Sequence, residues 1–158
     1  MHQLWAPWRA VYLKKVAQQK GCFICRAVKS GQDKKNLVLM RGQKCLVLMN
    51  LYPYNSGHLM IAPLAHQGEM EQLSAAEVQE IFDLICLMKK TLVRVLKPQG
   101  FNLGVNLGRV AGAGLPGHIH FHLVPRWNGD TNFMPILGNT KVISQSLSKL
   151  YLALKRFL

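Results

Sequence analysis

The chain has little acid. Seven Asp and Glu stand against twenty Lys and Arg in 158 residues, a formal charge of +13. Such an imbalance draws polyanions: nucleotides, nucleic acid or acidic membrane surfaces. The cations are scattered, however, in "LKK", "DKK", "MKK" and "LKR", and no dense block marks a nucleic-acid-binding arm. Long apolar runs are also missing. The longest, such as "CLVLMNL" and "HLMIAPL", fall well short of the roughly 20 residues that cross a bilayer, so no membrane-spanning helix is expected. "MHQLWAPWRAVYLKK" lacks the basic-then-apolar layout and small-residue cleavage site of a secretory signal. Cysteine is sparse too. There are four, two of them in "CFIC", which suits a reducing compartment better than a disulfide framework. The cytoplasm is the expected location. Repeats, low-complexity tracts and Gly/Ser linkers are absent, which leaves a single domain over residues 1–158.

What is present is enough apolar material for a core: 49% hydrophobic residues and a mean hydropathy of +0.08 describe a folded chain. An arm over about residues 1–20 carries Trp5 and Trp8, aromatics that need a surface to cover, the chain's own or a partner's. A core region follows over about residues 21–135. "NLVLMRGQKCLVLMNL", residues 36–51, reads as two buried strands around the turn "RGQK". "YPYNSG" is a turn cluster and "HLMIAP" a third strand. Ser74 and Glu77 form a capping box that opens a long helix. Its apolar residues Val78, Ile81, Phe82, Ile85, Met88, Leu92 and Val95 recur at intervals of three and four, and Pro98 and Gly100 close it. "FNLGVNLG" and "HIHFHLVPR" read as a fourth and fifth strand, and residues 142–158 as a final helix. This order predicts an α+β domain, an antiparallel sheet of about five strands with helices on one face. Cys45, in a strand, and Cys86, on the long helix, read as core residues.

Half of the six histidines lie at alternate positions in "GHIHFHLVPRW". In a strand, His118, His120 and His122 share one face while Ile119, Phe121 and Leu123 share the other. The apolar face belongs against a helix layer, which turns the imidazoles toward a cleft or solvent. Two uses compete for them. Metal binding needs ligands from elsewhere. Nucleophilic catalysis uses the middle ring, oriented by its neighbours. Just upstream, "NLGRVAGAGLPGH" holds Gly108, Gly112, Gly114 and Gly117, which let the backbone approach a ligand and turn N–H groups toward an anion. Gly112 to Gly117 matches G-x-G-x-x-G. A dinucleotide-binding motif must open a helix, however, and Pro116 leads here into an alternating strand, so phosphate is the better ligand. Cys22 and Cys25 have zinc-knuckle spacing but make only half of a tetrahedral site. Redox chemistry and plain burial compete with metal for them.

"HIHFHLV" resembles the histidine triad motif of the HIT superfamily, His-x-His-x-His followed by apolar residues. "LVLMNLYPYNSGHLMIAPLAH" resembles that family's strand–turn–strand with its apolar-Gly-His and Pro-x-x-His elements, and "CFIC" its Cys-x-x-Cys. The likeness runs from Cys22 to about Asp130. "LWAPWR" and "GAGLPGHIHFHLVPRWNGDTNFMP" are similar to the bacterial diadenosine tetraphosphate phosphorylase branch. The resemblance implies a HIT-like fold and a nucleotidyl hydrolase or transferase acting on dinucleoside polyphosphates. It implies that His120 attacks the α-phosphorus to form a nucleotidyl-histidine. His122 would donate to the phosphate or leaving group, and His118 would orient His120. Water or phosphate releases the intermediate. Asn50 is expected on the ribose hydroxyls, and Leu48 and Leu59 around the purine. Gly114 stands where many members carry a phosphate-contacting Gln, which opens the site and leaves Gly112, Asn106 and Arg109 as candidate phosphate contacts. Cys22, Cys25, His66 and His118 are the implied ligands of a structural Zn2+; no organic cofactor is implied. A homodimer is implied, with "LWAPWR" and the final helix as candidate interface. His58 fits a family position as a hydrogen-bonded structural residue. A phosphoramidase or an asymmetric hydrolase is the enzymatic alternative. A nucleotide- or nucleic-acid-binding regulator, motivated by the positive charge, is the non-enzymatic one.

Overall fold

The structure is a computed structural model that describes residues 21–130 and 145–158. The arm with Trp5 and Trp8, and Val142 and Ile143 of the predicted final helix, lie outside the described residues. In chain order the elements are α1 (Phe23–Ser30), α2 (Asp33–Asn36), β1 (Val38–Arg41), β2 (Cys45–Met49) and β3 (Leu59–Pro63). They continue with α3 (Ala75–Leu96), β4 (Gly100–Val105), β5 (Phe121–Arg126) and α4 (Leu147–Lys155), and one turn of 3-10 helix, Met70–Gln72, precedes α3. The strands form one antiparallel sheet in the order β1-β2-β3-β5-β4. The α+β expectation of five antiparallel strands with a long helix and a C-terminal helix is borne out.

Register decides what each face carries. Leu48 lies opposite Met60, and Met60 opposite His122, so these three share one face. Met49, Leu59 and Leu123 form the adjacent row and point the other way. That second face packs on α3 and α4 through Ile81, Leu84, Ile85, Met88, Leu92, Leu150, Tyr151 and Leu154. Each such side chain, once fully buried, contributes about 1.5–3 kcal/mol. α4 is tied to β1 by Tyr151 Oη donating to Val38 O (3.1 Å) and Lys155 Nζ donating to Leu39 O (3.0 Å). The helix layer is not one-sided as expected. α1 covers part of the opposite face, where Ile24 and Ala27 pack on Val38, Leu46, Leu48, Met60 and Ala62.

Local signals act where expected. Ser74 Oγ accepts the Glu77 N–H, and the Glu77 carboxylate accepts the Ser74 N–H, closing the capping box of α3. Lys97 ends that helix in the left-handed region (φ 47°) just before Pro98. Glu80, on α3, accepts the N–H groups of Gln43 and Lys44 at 2.7 Å each and so fixes the β1–β2 turn.

Three expectations fail. Val78 and Phe82 are 41% and 52% exposed: Phe82 lies towards the edge of the Ile81–Ile85–Met88 stripe, and Val78 is in the first turn of α3. Cys86, on the same side as Phe82, is exposed rather than core, while Cys45 is buried and its thiol is pushed up to about 12 by that burial. The fifth strand starts at Phe121, not at His118. β4 pairing ends at Val105–Phe121 and β3 pairing at Ile61–Phe121, so residues 118–120 have no strand on either side. Ile119 N–H donates instead to Gln67 O at 2.7 Å.

Candidate active site and metal centre

The triad is more buried than a solvent-facing row: His118, His120 and His122 are 0%, 7% and 8% exposed. Burial lowers the pKa of all three rings, that of His122 to about 4, so each is neutral near pH 7. Neutral imidazole has one N–H and one lone pair, and the partner of one nitrogen decides which is which. His120 Nδ1 lies 2.9 Å from His118 O. A carbonyl only accepts, so Nδ1 carries the proton and Nε2 keeps the lone pair. His118 Nε2 lies 2.9 Å from Pro63 O, which leaves the lone pair of that ring on Nδ1.

The third ring is set through a chain of partners. Tyr54 N–H donates to His58 Nδ1 at 3.0 Å. A backbone N–H only donates, so His58 holds its proton on Nε2 and gives it to His122 Nδ1, 2.9 Å away. His122 then presents Nε2–H. Asn50 agrees with this order: its Oδ1 accepts Tyr52 N–H (2.9 Å), which turns Nδ2 toward His58 Nδ1 (3.4 Å). His122 Nε2 lies 3.5 Å from Asn106 Nδ2, and that amide lies 3.5 Å from Gly112 O. Two donors converging with no acceptor between them suit an anionic oxygen. The His120 and His122 rings meet edge-on with centroids 4.9 Å apart. A lone pair and an N–H donor are thus held side by side.

At the other end of the row, Cys22 Sγ and Cys25 Sγ lie 3.2 and 3.5 Å from His118 Nδ1, and His66 Nδ1 lies 3.3 Å from it. Cys25 Sγ to His66 Nδ1 is 3.2 Å. All four ligand atoms fall within 4.8 Å of one another, so Cys22, Cys25, His66 and His118 form a group able to hold a metal. The CFIC turn makes this possible locally. Cys22 caps α1, and its sulfur accepts Cys25 N–H at 3.3 Å. Next to His66, Gln67 donates to Glu77 at 3.1 Å, which ties the loop to the start of α3.

The remaining predicted contacts divide. Asn50, Asn106 and the Gly112 carbonyl border the His58–His122 pair. Leu48 is on the histidine face but is 2% exposed beneath α1. Leu59 is a correction. It is fully buried on the α3 face, and strand alternation forbids it and Leu48 from gripping one ring. Gly112 adopts φ 93°, a conformation that L side chains rarely adopt. Gly112 N–H donates to Arg109 O (3.0 Å) within a turn rather than a helix start, so the dinucleotide-motif reading stays rejected. Gly114 sits half-buried in that loop, and Arg109 is exposed. Sequence reasoning missed the Tyr54–His58–His122 relay. Its only signal was the Gly57–His58 pair before a strand.

A histidine row carrying one lone pair and one donor, on a five-stranded antiparallel sheet beside a Cys2His2 cluster, defines a histidine triad protein. The chain belongs to the HIT domain family, whose pattern it matches over residues 31–129. It is 37% identical over 154 residues to the AP-4-A phosphorylase of Mycobacterium tuberculosis, covering 93% of this chain and 79% of that one. It is 26% identical over 93 residues to the asymmetrical bis(5'-nucleosyl)-tetraphosphatase of Schizosaccharomyces pombe, covering 59% and 50%. Among solved structures, a hypothetical histidine triad nucleotide-binding protein of Sulfolobus tokodaii superposes with TM-score 0.68 at 20% identity, over 86% of this chain and 91% of that one. A Zn-bound histidine triad protein of Mycobacterium smegmatis superposes with TM-score 0.62 at 18% identity, over 93% and 91%.

Proposed function

We propose that this protein cleaves dinucleoside polyphosphates, diadenosine tetraphosphate in particular, through a nucleotidyl-His120 intermediate that phosphate resolves to ATP and ADP. The observation that carries this is the pair of opposed nitrogens: the lone pair of His120 Nε2 beside the N–H of His122 Nε2. The His120 lone pair forms a bond to the α-phosphorus. The phosphorus–oxygen bond to the leaving polyphosphate breaks with its electron pair kept on that oxygen, which leaves as an anion held by a hydrogen bond from His122 Nε2–H. Asn106 Nδ2 and His122 Nε2–H stabilise charge that grows on the phosphoryl oxygens. A phosphate oxygen then attacks phosphorus, the phosphorus–nitrogen bond breaks, and its electron pair returns to His120 Nε2 as the lone pair. The likeness to a named AP-4-A phosphorylase supports both substrate and acceptor. Asn50 faces the ribose in this reading, with Gly112, Gly114 and Arg109 on the polyphosphate side.

Cys22, Cys25, His66 and His118 would hold a structural zinc. Zinc bonds of about 2.0–2.3 Å separate tetrahedral ligand atoms by roughly 3.3–3.8 Å, and four of the separations here are 3.2, 3.2, 3.3 and 3.5 Å. Two thiolates and two imidazoles are zinc's preferred donors, and the Pro63 carbonyl orients the His118 ring toward the cluster. The metal would lock the residue whose carbonyl aims His120.

The described helices pack on the two faces of one sheet, which supports a single working domain. β4 has no neighbour on its outer side among the described residues, and Leu103 on it is 49% exposed. An open apolar edge of this kind supports a homodimer. Four free cysteines support a reducing, cytoplasmic setting. Turnover of diadenosine tetraphosphate with and without phosphate, read by product analysis, tests the reaction. ATP plus ADP only when phosphate is supplied supports it. Products containing AMP without phosphate indicate an asymmetric hydrolase, and cleavage of adenosine phosphoramidate alone a phosphoramidase.

A further inference from the structure

We infer that Asp130 is a positioning residue for His122, acting through Asn55 on the loop that sets the proton of His58. The inference rests on the reading of His122 Nε2–H as the hydrogen-bond donor to the leaving group. His122 owes its tautomer to His58, and the shortest bond to His58 Nδ1 comes from the Tyr54 N–H. That N–H belongs to an irregular loop, residues 50–58, with no ladder to hold it. Something outside the loop must place it.

Asp130 does so from the turn that follows β5. Its Oδ2 accepts Asn55 Nδ2 at 2.8 Å, and Asn55 is the residue next to Tyr54. Asn55 Nδ2 also reaches Pro125 O on β5 (3.2 Å), and Asn55 O accepts the His58 N–H (3.1 Å). The side-chain amide pins Asn55 to β5 and Asp130, and the main-chain carbonyl of the same residue holds the His58 N–H, so one residue links the donor and the ring to the sheet. The carboxylate is itself fixed by the sheet. Arg126 clamps it through Nε (2.6 Å) and Nη2 (2.8 Å), Trp127 N–H adds a bond at 3.1 Å, and Arg126 Nη1 reaches Asn102 on β4 at 2.6 Å. The Asp130 side chain is only 8% exposed. Bidentate pairing of this kind fixes direction as well as distance. Downstream of Asn55, Gly57 (φ 78°) lies so close to the helix that a Cβ there would meet Leu96 Cδ1 at 2.6 Å. The loop is therefore packed closely against α3 between Asn55 and His58. Asp130 and Asn55 touch neither catalytic ring, yet they determine which nitrogen of His122 bears hydrogen.

Asp130→Ala and Asn55→Ala test this on the full chain, with nitrogen-15 NMR of the histidine rings and steady-state kinetics on diadenosine tetraphosphate. In the wild type, His58 should show a protonated Nε2 and His122 a protonated Nε2. In either variant both rings should become tautomer mixtures. kcat should fall by up to about 10²-fold, with KM changed less than about three-fold. Arg126→Gln is the control: it weakens the clamp but leaves Asn55 bonded to Asp130, and should keep the wild-type tautomers while melting earlier. Should Asp130→Ala not fold, Asn55→Ala reads the same link with the clamp intact. Unchanged tautomers in every folded variant overturn the role of Asp130. Mixed tautomers with unchanged kcat overturn His122 as donor while leaving the link from Asp130 to the ring in place.

Discussion

Acid should destabilise this protein measurably through His122. Burial, with a smaller push from His120, lowers its pKa from 6.5 to about 4 in the folded chain, whereas the unfolded ring titrates near about 6.5. Between those values the unfolded chain binds a proton that the folded chain refuses, so stability rises with pH across the window. Above about pH 6.5 both states hold a neutral ring and His122 costs nothing. As pH falls the cost grows, and it levels off below about pH 4. A gap of about 2.5 units at about 1.36 kcal/mol each sets a ceiling of about 3 kcal/mol. No solvent discount is needed for a ring 8% exposed, and the cost is a large share of the roughly 5–15 kcal/mol of a typical domain. His118 and His120 are shifted the same way. Glu77 and Asp130, with lowered pKa values, lose stabilisation at still lower pH. A difference measurement therefore isolates His122. Urea unfolding of wild type and His122→Gln, from about pH 7.5 to about 4, should show the wild-type advantage shrinking by about 2–3 kcal/mol. A gap that stays constant across the window, or a directly titrated His122 near 6.5 by NMR, would refute the reasoning.

His120→Ala should lower turnover more than about 10⁴-fold while retaining nucleotide affinity by calorimetry; substantial residual activity removes His120 as nucleophile. Protein purified without added metal should carry about one zinc per chain by mass spectrometry. Cys25→Ser should lose the metal and melt earlier, and a metal content unaffected by the substitution would sink the Cys2His2 assignment. Leu59→Ala should cost about 2–5 kcal/mol of stability and leave KM unchanged, because its side chain faces α3 and not the histidines; a KM that rises several-fold would restore Leu59 to the purine site.

Local patterns were legible wherever neighbours in sequence decide the outcome. The "RGQK" turn, the Ser74–Glu77 box and the stop at Lys97–Pro98 all form where their spacing puts them. α1 is only eight residues long, and its Cys22-Phe-Ile-Cys25 start has the spacing of a metal pair as well as that of a helix cap. On α3 the apolar period gave the helix but not its orientation. Val78 and Phe82 fit the stripe by spacing and still face outward, since which side is buried depends on where the sheet lies. Leu59 shows the same limit. Its apolar neighbours on both sides, in a run buried throughout, carry no alternation to say which face it takes.

Three alternating imidazoles, a Cys-x-x-Cys, a Pro-x-x-His and a glycine loop are properties of the sequence, and they determine the kind of chemistry by themselves. A two-residue period in extended chain predicts one side for the rings, although only His122 lies within the paired strand. Which nitrogen of each ring attacks, donates or binds metal is decided only by the tertiary structure. That choice belongs to atoms far away along the chain: Pro63 O for His118, and His58, set by the Tyr54 N–H and anchored through Asn55 to Asp130, for His122. A tautomer is a response to a partner's donor or acceptor character, and only folding brings those partners within 3 Å.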